Sequence, residues 1–393
     1  MVKAALLTPN LTMGGAEMWI VSLASSADPE RLQWTGAVVS GWGGLDPYLC
    51  RRLASHVTVH THDGGWNQQP GAARLAQRYF HDIHEHFGDA IRAACRDADI
   101  LVAWGGVDPR RYAPDLRIPV VQTSHTTEPA RPDHNGFASA QHLAAVSEAA
   151  RVHFRSAAAA DHEIQVLYNG ADRARCLPLE GRGRMRQAWG LADEDIAVGY
   201  IGRHSAEKNP QAAIEAVARL PENYRAIYYG GPTPRDQTTT QRLRDLAQEI
   251  APERVRFHPS VEHIGDPLAG LDVFMLASHR EAFSLGLIEA WIAGVPVVAT
   301  AVGSLPELQQ RYGQLTIEVP LDASPSELAD AVVRAHGEPG RDNARRAQQI
   351  AVEHFTSEAM CSRWADYLEE IVSPSPRRRS RSSRRFASLP TSQ

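Results

Sequence analysis

The stretch ASHREAFSLGLIEAWIAGVPVVAT, residues 277–300, places two glutamates, Glu281 and Glu289, with seven residues between them. Ser284 is a natural helix cap, Gly294 stands where a helix ends and Pro296 follows, so the spacing predicts a helix over residues 285–293. Glu281 then lies in the loop leading in, and Glu289 on the helix itself. Both carboxylates can face one ligand held at the helix N-terminus, where the backbone N–H groups of Phe283, Ser284 and Leu285 favour an anion. Carboxylates in that position accept hydrogen bonds from sugar or ribose hydroxyls, each worth roughly 1.5–3 kcal/mol.

Two other loops carry complementary chemistry. In GRHSAEKNP, residues 202–210, Asn209 and Pro210 read as a cap and first-turn pair opening a helix over residues 210–220. Arg203 and Lys208 are left on the loop, where a fixed guanidinium and a flexible ammonium suit a diphosphate whose charge grows as it leaves. Near the start, PNLTMGGAEMWIVSLA sets Gly14 and Gly15 just before a helix, which leaves backbone N–H groups bare for a second anion site. Each of these two patterns alone also fits a blander role, solvated surface charges for the first and a tight turn for the second. Neither a GxGxxG fingerprint nor a Walker lysine follows the first strand, which sets aside a nicotinamide dehydrogenase.

The loops need strands to carry them. Strand-like runs at residues 3–8, 35–40, 57–62, 100–104, 120–123, 143–146 and 165–167 alternate with helical stretches. The alternation stops near Asp172, where residues 174–190 read as a connector with a short helix, and a second series begins at residues 198–201, 225–229, 255–258, 273–276, 297–300 and 315–319. An amphipathic helix over residues 357–371 closes the ordered part. The expectation is an α/β chain of two doubly wound, Rossmann-like domains, residues 1–173 and 174–355, with a cleft between them. Ligands in such sheets sit beyond the carboxyl ends of the strands, where the three loops lie.

With LDVF before it and VGSLPEL after it, the Glu281–Glu289 segment resembles the donor-binding signature of the family 4 retaining glycosyltransferases, which have the GT-B fold. GGAEMW, AVSEAA, VLYNGAD and GRHSAEKN follow the same family's order, so the resemblance covers about residues 1–371. It implies transfer of a sugar from a nucleoside diphosphate sugar to a hydroxyl acceptor, a uridine donor before a guanosine one, and no metal or other cofactor. Glu281 would contact the donor sugar, Glu289 the ribose, and Arg203 and Lys208 the diphosphate. Gly231, Phe283, Ser284 and Leu285 would join them around the nucleotide, and Gly14 and Gly15 would meet a phosphate from the opposite domain. His125, at the end of VVQTSH, takes the position of the family's cleft histidine. The last helix, residues 356–372, would cross back onto the first domain.

The chain departs from that pattern at three places. Ala282 replaces the usual glycine after Glu281, where a positive φ would cost about 1–2 kcal/mol. Asn209 stands where glycine is frequent, and His258 with Pro259 replaces another glycine. Ala282 leaves open a rival, a GT-B scaffold without catalysis, and an epimerase of the same fold is a further alternative.

The 393 residues are 43% hydrophobic and 22% charged, which fits a soluble globular chain of two or three domains. No segment is long and apolar enough for a membrane span, and the first residues lack a signal-peptide pattern, so the expected location is the cytoplasm. Cys50, Cys95, Cys176 and Cys361 are scattered, without a CxxC pair, and read as isolated buried thiols. Residues 373–393 carry six arginines and no acid, which leaves −11 on the remainder of a chain whose total is −5. An acidic body argues against nucleic acid as a partner, whereas the basic tail reads as disordered and able to touch anionic lipid at the inner face of the membrane. His56, His60 and His62 read as one strand and His81, His84 and His86 as helical. Neither set has metalloenzyme spacing, so no metal site is expected. Acceptor contacts are expected from first-domain loops bearing Trp66, Gln68 and Arg131.

Overall fold

A computed structural model of the chain describes residues 1–42, 44–65, 71–127, 137, 140–155, 163–233 and 236–373. Among them run two parallel sheets. The first is built from β1 (Val2–Thr8), β2 (Leu32–Val39), β3 (Val59–His62), β4 (Asp82–His84), β5 (Ile100–Trp104), β6 (Val120–Ser124), β7 (His142–Ala145) and β8 (Ile164–Val166), in the order β4-β3-β2-β1-β5-β6-β7-β8. The second comprises β9 (Ile196–Ile201), β10 (Tyr224–Tyr229), β11 (Val255–His258), β12 (Val273–Leu276), β13 (Val297–Thr300) and β14 (Ile317–Val319), in the order β11-β10-β9-β12-β13-β14. In both, the strand order reverses beside the first strand of the series, and there the loops splay apart to leave a crevice.

Helices cover the sheets, and this explains why β1 reads as a continuous apolar run rather than an alternation: Ala4, Ala5, Leu6 and Leu7 are all fully buried. Helix Gly15–Ser26 lies over that strand and buries Trp19, Ile20, Val21 and Leu23. Most strand bounds fall within a residue or two of the sequence expectation. β2 extends three residues earlier, because Leu32, Gln33 and Trp34 find partners in β1.

One expectation is overturned. His81, His84 and His86 do not belong to a helix. Helix Ala72–Tyr79 ends at Phe80, whose backbone is extended (φ −92°, ψ 134°), and Asp82–His84 then forms the edge strand β4 against β3. Pairing with β3 decides the outcome over local preference. His56 precedes β3 rather than lying in it.

The chain closes by returning to its beginning. Helix Ser357–Val372 packs on helix Gly15–Ser26, with the Trp364 and Trp19 rings 5.5 Å apart, and Arg31 reaches Asp366 at 2.7 Å and Glu369 at 2.9 Å. The crossing occurs where Ala171 donates to Phe355 O and Ser357 to Ala171 O, each at 2.9 Å. A Cβ on Gly170 would stand 2.0 Å from Thr356 O, so this glycine of VLYNGAD serves the close approach of the returning chain. The sheets are joined again where both Glu307 carboxylate oxygens accept from the Glu148 N–H, at 2.9 and 3.1 Å, beside the start of helix Glu148–Arg155.

All four cysteines are free and buried, and burial pushes the Cys50 and Cys95 thiols up to about 12. Among the described residues no helix is long and apolar enough to cross a membrane. The arginine-rich stretch from residue 374, and Trp66, Gln68 and Arg131, lie outside the described residues.

Candidate active site

A cavity of about 410 Å³ opens between the carboxyl ends of the two sheets. Its volume falls in the range of small-molecule sites, roughly 300–1,000 Å³. Gly14 and Gly15 line it from the first sheet, and Arg203, Lys208, Gly231, Glu281, Phe283, Ser284, Leu285 and Glu289 from the second. Three strand-end loops predicted to bear chemistry therefore converge on one space.

The centre of the second-sheet wall is an ion pair: Lys208 Nζ donates to Glu281 Oε2 at 2.7 Å, and Ser278 Oγ donates to the other carboxylate oxygen at 2.9 Å. Glu281 is only 8% exposed, so its charge depends on these partners. The Glu281 loop is tied to the Lys208 loop by His279 N–H donating to Glu207 O at 2.8 Å. It is backed by Gly303 (φ 60°), where a Cβ would come within 2.7 Å of Glu281 O, which accounts for the glycine in VGSLPEL. The Arg203 guanidinium, half exposed, donates to Glu207 at 3.2 Å and stays at the rim.

Two local expectations change. Asn209 is not a helix cap. Its backbone is left-handed (φ 47°), and helix Gln211–Val217 starts beyond Pro210 without a side-chain cap. Asparagine tolerates that conformation better than other non-glycine residues, which explains its presence at a position favouring glycine. Ala282 carries no positive φ, the described non-glycine residues of that kind being Asn209 and Glu253. The backbone strain expected beside Glu281 therefore does not arise.

Helix Leu285–Ile292 begins as its cap foretells, with Ser284 Oγ accepting from Leu287 N at 3.3 Å, so the first-turn N–H groups meet the cavity. Glu289 lies on this helix, where the Arg175 Nη1 donates to its carboxylate, and the Arg175 Nε donates to Glu262 O at 2.7 Å. Arg175 also lines the cavity, and the sequence reading passed over it as part of a connector. The signal was Asp172, which accepts from Ala174 N at 3.0 Å and Arg175 N at 3.4 Å and so starts the short helix that aims Arg175.

On the opposite wall, Gly14 precedes helix Gly15–Ser26 with no side-chain cap, leaving the N–H groups of the first turn open. Its φ of −170° is ordinary extended backbone, and a Cβ there would lie 2.6 Å from Glu17 Oε2, the movable end of that side chain. Glu17, another residue missed at the sequence level, is buried, accepts from Thr12 Oγ1 at 2.9 Å, and is held above the usual carboxylate range by that burial. The anion site predicted at this helix start thus includes an acid inclined to keep its proton.

His125 is not among the residues lining the cavity. Its ring rests against Trp19, with centroids 4.5 Å apart, and near Trp104. Burial lowers its pKa to about 3, so it is neutral at physiological pH, and its Nε2 has no hydrogen-bond partner among the described residues. Away from the cavity, His60, Asp82 and His84 gather at the sheet edge.

Residues 195–337 match the family model described as Glycosyl transferases group 1. The D-inositol 3-phosphate glycosyltransferase of Mycolicibacterium gilvum is 36% identical over 146 residues, which is 36% of this chain and 33% of that protein. The enzyme of the same name from Streptomyces bingchenggensis is 30% identical over 187 residues, 45% of this chain and 41% of that one. The chain spans 33–41% of the length of these curated relatives. Among solved structures, Anabaena HepE in complex with UDP and glucose superposes with a TM-score of 0.73 at 22% identity over 94% of this chain and 100% of its own. Sucrose-phosphate synthase from Thermosynechococcus elongatus gives 0.75 at 17% identity over 95% and 100%. Both superpositions extend across the two sheets, so the fold shared is the whole GT-B architecture. The likeness to the glycosyl transferases group 1 accordingly lies in residues 195–337, within a chain whose two halves together have the GT-B fold.

Proposed function

We propose that this protein is a retaining glycosyltransferase that moves a sugar from a nucleoside diphosphate sugar to a hydroxyl acceptor. The observation that carries the reading is the convergence of the Gly14–Gly15 helix start, the cations Arg203 and Lys208, and the acids Glu281 and Glu289 on one cavity. In this reading the halves meet at about residue 173, and the nucleotide lies against the second.

Arg203 and Lys208 offset the charge that develops on the departing diphosphate, so the reaction requires no metal there. The N–H groups at the start of helix Leu285–Ile292 and of helix Gly15–Ser26 face the same phosphates from opposite sides. Glu281, held in place by Lys208, accepts from sugar hydroxyls, and Glu289, oriented by Arg175, accepts from the ribose. Departure of the diphosphate on the face where the acceptor enters lets its own oxygen take the acceptor proton, and a separate protein base is unnecessary. His125, neutral, takes no proton in this scheme. A uridine donor is favoured by the relation to HepE, whose structure holds UDP and glucose. The acceptor is a glycan, a lipid-linked sugar or a small metabolite. The arginines beyond residue 373 add attraction to an anionic membrane surface of about 1 kcal/mol each.

The reading is tested by incubating the protein with a panel of nucleotide sugars, first alone and then with candidate acceptors, and following products by mass spectrometry. Slow hydrolysis of a uridine diphosphate sugar without acceptor, and a glycosylated product with one, are expected. Calorimetric titration showing no affinity for uridine or guanosine diphosphate would remove the reading, and interconversion of donor sugars without acceptor would replace it with epimerisation.

A further inference from the structure

The outer edge of the first sheet holds a second cluster of chemically competent side chains, more than one element away from the cavity. β3 and β4 pair in parallel with His60 opposite Asp82 and His62 opposite His84, so alternation puts residues 60, 62, 82 and 84 on one face. His60 Nδ1 lies 3.1 Å from His84 Nε2 and 3.4 Å from Asp82 Oδ2, and the three donor atoms fall within 4.8 Å of one another. A tetrahedral zinc ion with bonds of about 2.0–2.2 Å sets its ligand atoms about 3.3–3.5 Å apart. The His60 ring is held by its surroundings: it is 6% exposed, and its Cδ2 would lie 3.2 Å from a Cβ on Gly36. Asp82 is exposed and His84 half-buried, so an ion arrives from solvent and keeps water in its remaining positions.

From this geometry we propose that His60, Asp82 and His84 form a binding site for a divalent transition cation of the zinc class. Two imidazoles and one carboxylate match the donor preference of such ions and not of magnesium or calcium, which favour oxygen alone. The site is independent of sugar transfer. Its ligands come from two adjacent strands, so a bound ion clips the three-residue edge strand β4 to β3 and stabilises the folded state by mass action.

The test uses the full, untagged chain stripped with a chelator, titrated with zinc chloride by calorimetry and then followed by thermal denaturation. One equivalent is expected to bind and to raise the midpoint of unfolding. His84→Ala and Asp82→Asn should each weaken binding by about tenfold or more and abolish the thermal shift, while His81→Ala and His86→Ala behave as wild type. Cobalt(II) in place of zinc should give a visible absorption band that the first two variants lack. Circular dichroism establishes that all four variants are folded. Absence of zinc binding at micromolar concentrations, or binding by His84→Ala and Asp82→Asn equal to that of the wild type, overturns the proposal.

Discussion

Lys208 and Glu281 are 73 residues apart in sequence and 2.7 Å apart in space, and each is the principal counter-charge of the other. The pair links the loop after β9 to the loop after β12, so the group that would meet the diphosphate and the group that would meet the sugar are positioned by one contact. Removing one member leaves a buried charge alone, at about 3–5 kcal/mol in a fully buried pair and less here, where Lys208 is a quarter exposed. We expect Lys208→Met and Glu281→Gln each to lower kcat by about a hundredfold or more. The double variant should be more stable to urea than Lys208→Met alone. Turnover near the wild-type rate in both single variants would end their assignment to the reaction.

Arg175 holds Glu289 from the connector, and its loss should act on binding before chemistry. Arg175→Ala is expected to raise the donor KM by about tenfold, close to 1.4 kcal/mol, with kcat little changed. A fall in kcat at constant KM would instead place Arg175 in the transition state.

The backbone at two positions makes opposite predictions for the same replacement. Asn209 is left-handed, so Asn209→Gly should be neutral or stabilising, whereas Asn209→Ala should cost about 1 kcal/mol. Ala282 is not left-handed, so Ala282→Gly should destabilise by about 0.4–1 kcal/mol through the unfolded chain. Thermal melting of the three variants distinguishes these outcomes, and a stabilised Ala282→Gly would contradict the observed conformation.

Glu307 couples the two halves to pH. Burial, reinforced by the neighbouring Glu148 charge and opposed by the Glu148 N–H and Arg151, raises its pKa from 4.5 to about 7. The folded state therefore binds a proton that the unfolded state releases, and the stability this group lends is present at low pH and lost as pH rises from about 4.5 to about 7. The melting temperature of wild type relative to Glu307→Gln should fall between about pH 5 and about pH 7.5, and equal slopes for the two would refute the effect.

Much of the candidate site was legible because its signals are local. Ser284, Gly294 and Pro296 fix the limits of one helix, and its register then places Glu281 and Glu289 without reference to the rest of the chain. The Arg203–Lys208 loop and the Gly14–Gly15 turn could be placed for the same reason, since both follow strands with clear apolar runs. What escaped depends on contacts between distant segments. Arg175 looks like any connector arginine until helix Leu285–Ile292 is set beside it, and the burial of Glu17 shows only once the chain has folded around the start of its helix. Asn209 before Pro210 has the composition of a cap, but the chain enters that helix through a left-handed residue. HDIHEH offers short-range support to a helix, and only its pairing with His60–His62 makes it a strand.

The helix Ser357–Val372 covers Trp19 and the start of the first sheet with residues that follow far later in the chain, Ser26 and Ser357 being 331 positions apart. During synthesis that flank of the first sheet consequently waits uncovered until the ribosome has delivered residues 357–372. Loss of residues 357–372 should thus harm the segment around Trp19 first, and a protease or chaperone surveying the nascent polypeptide would find its target there.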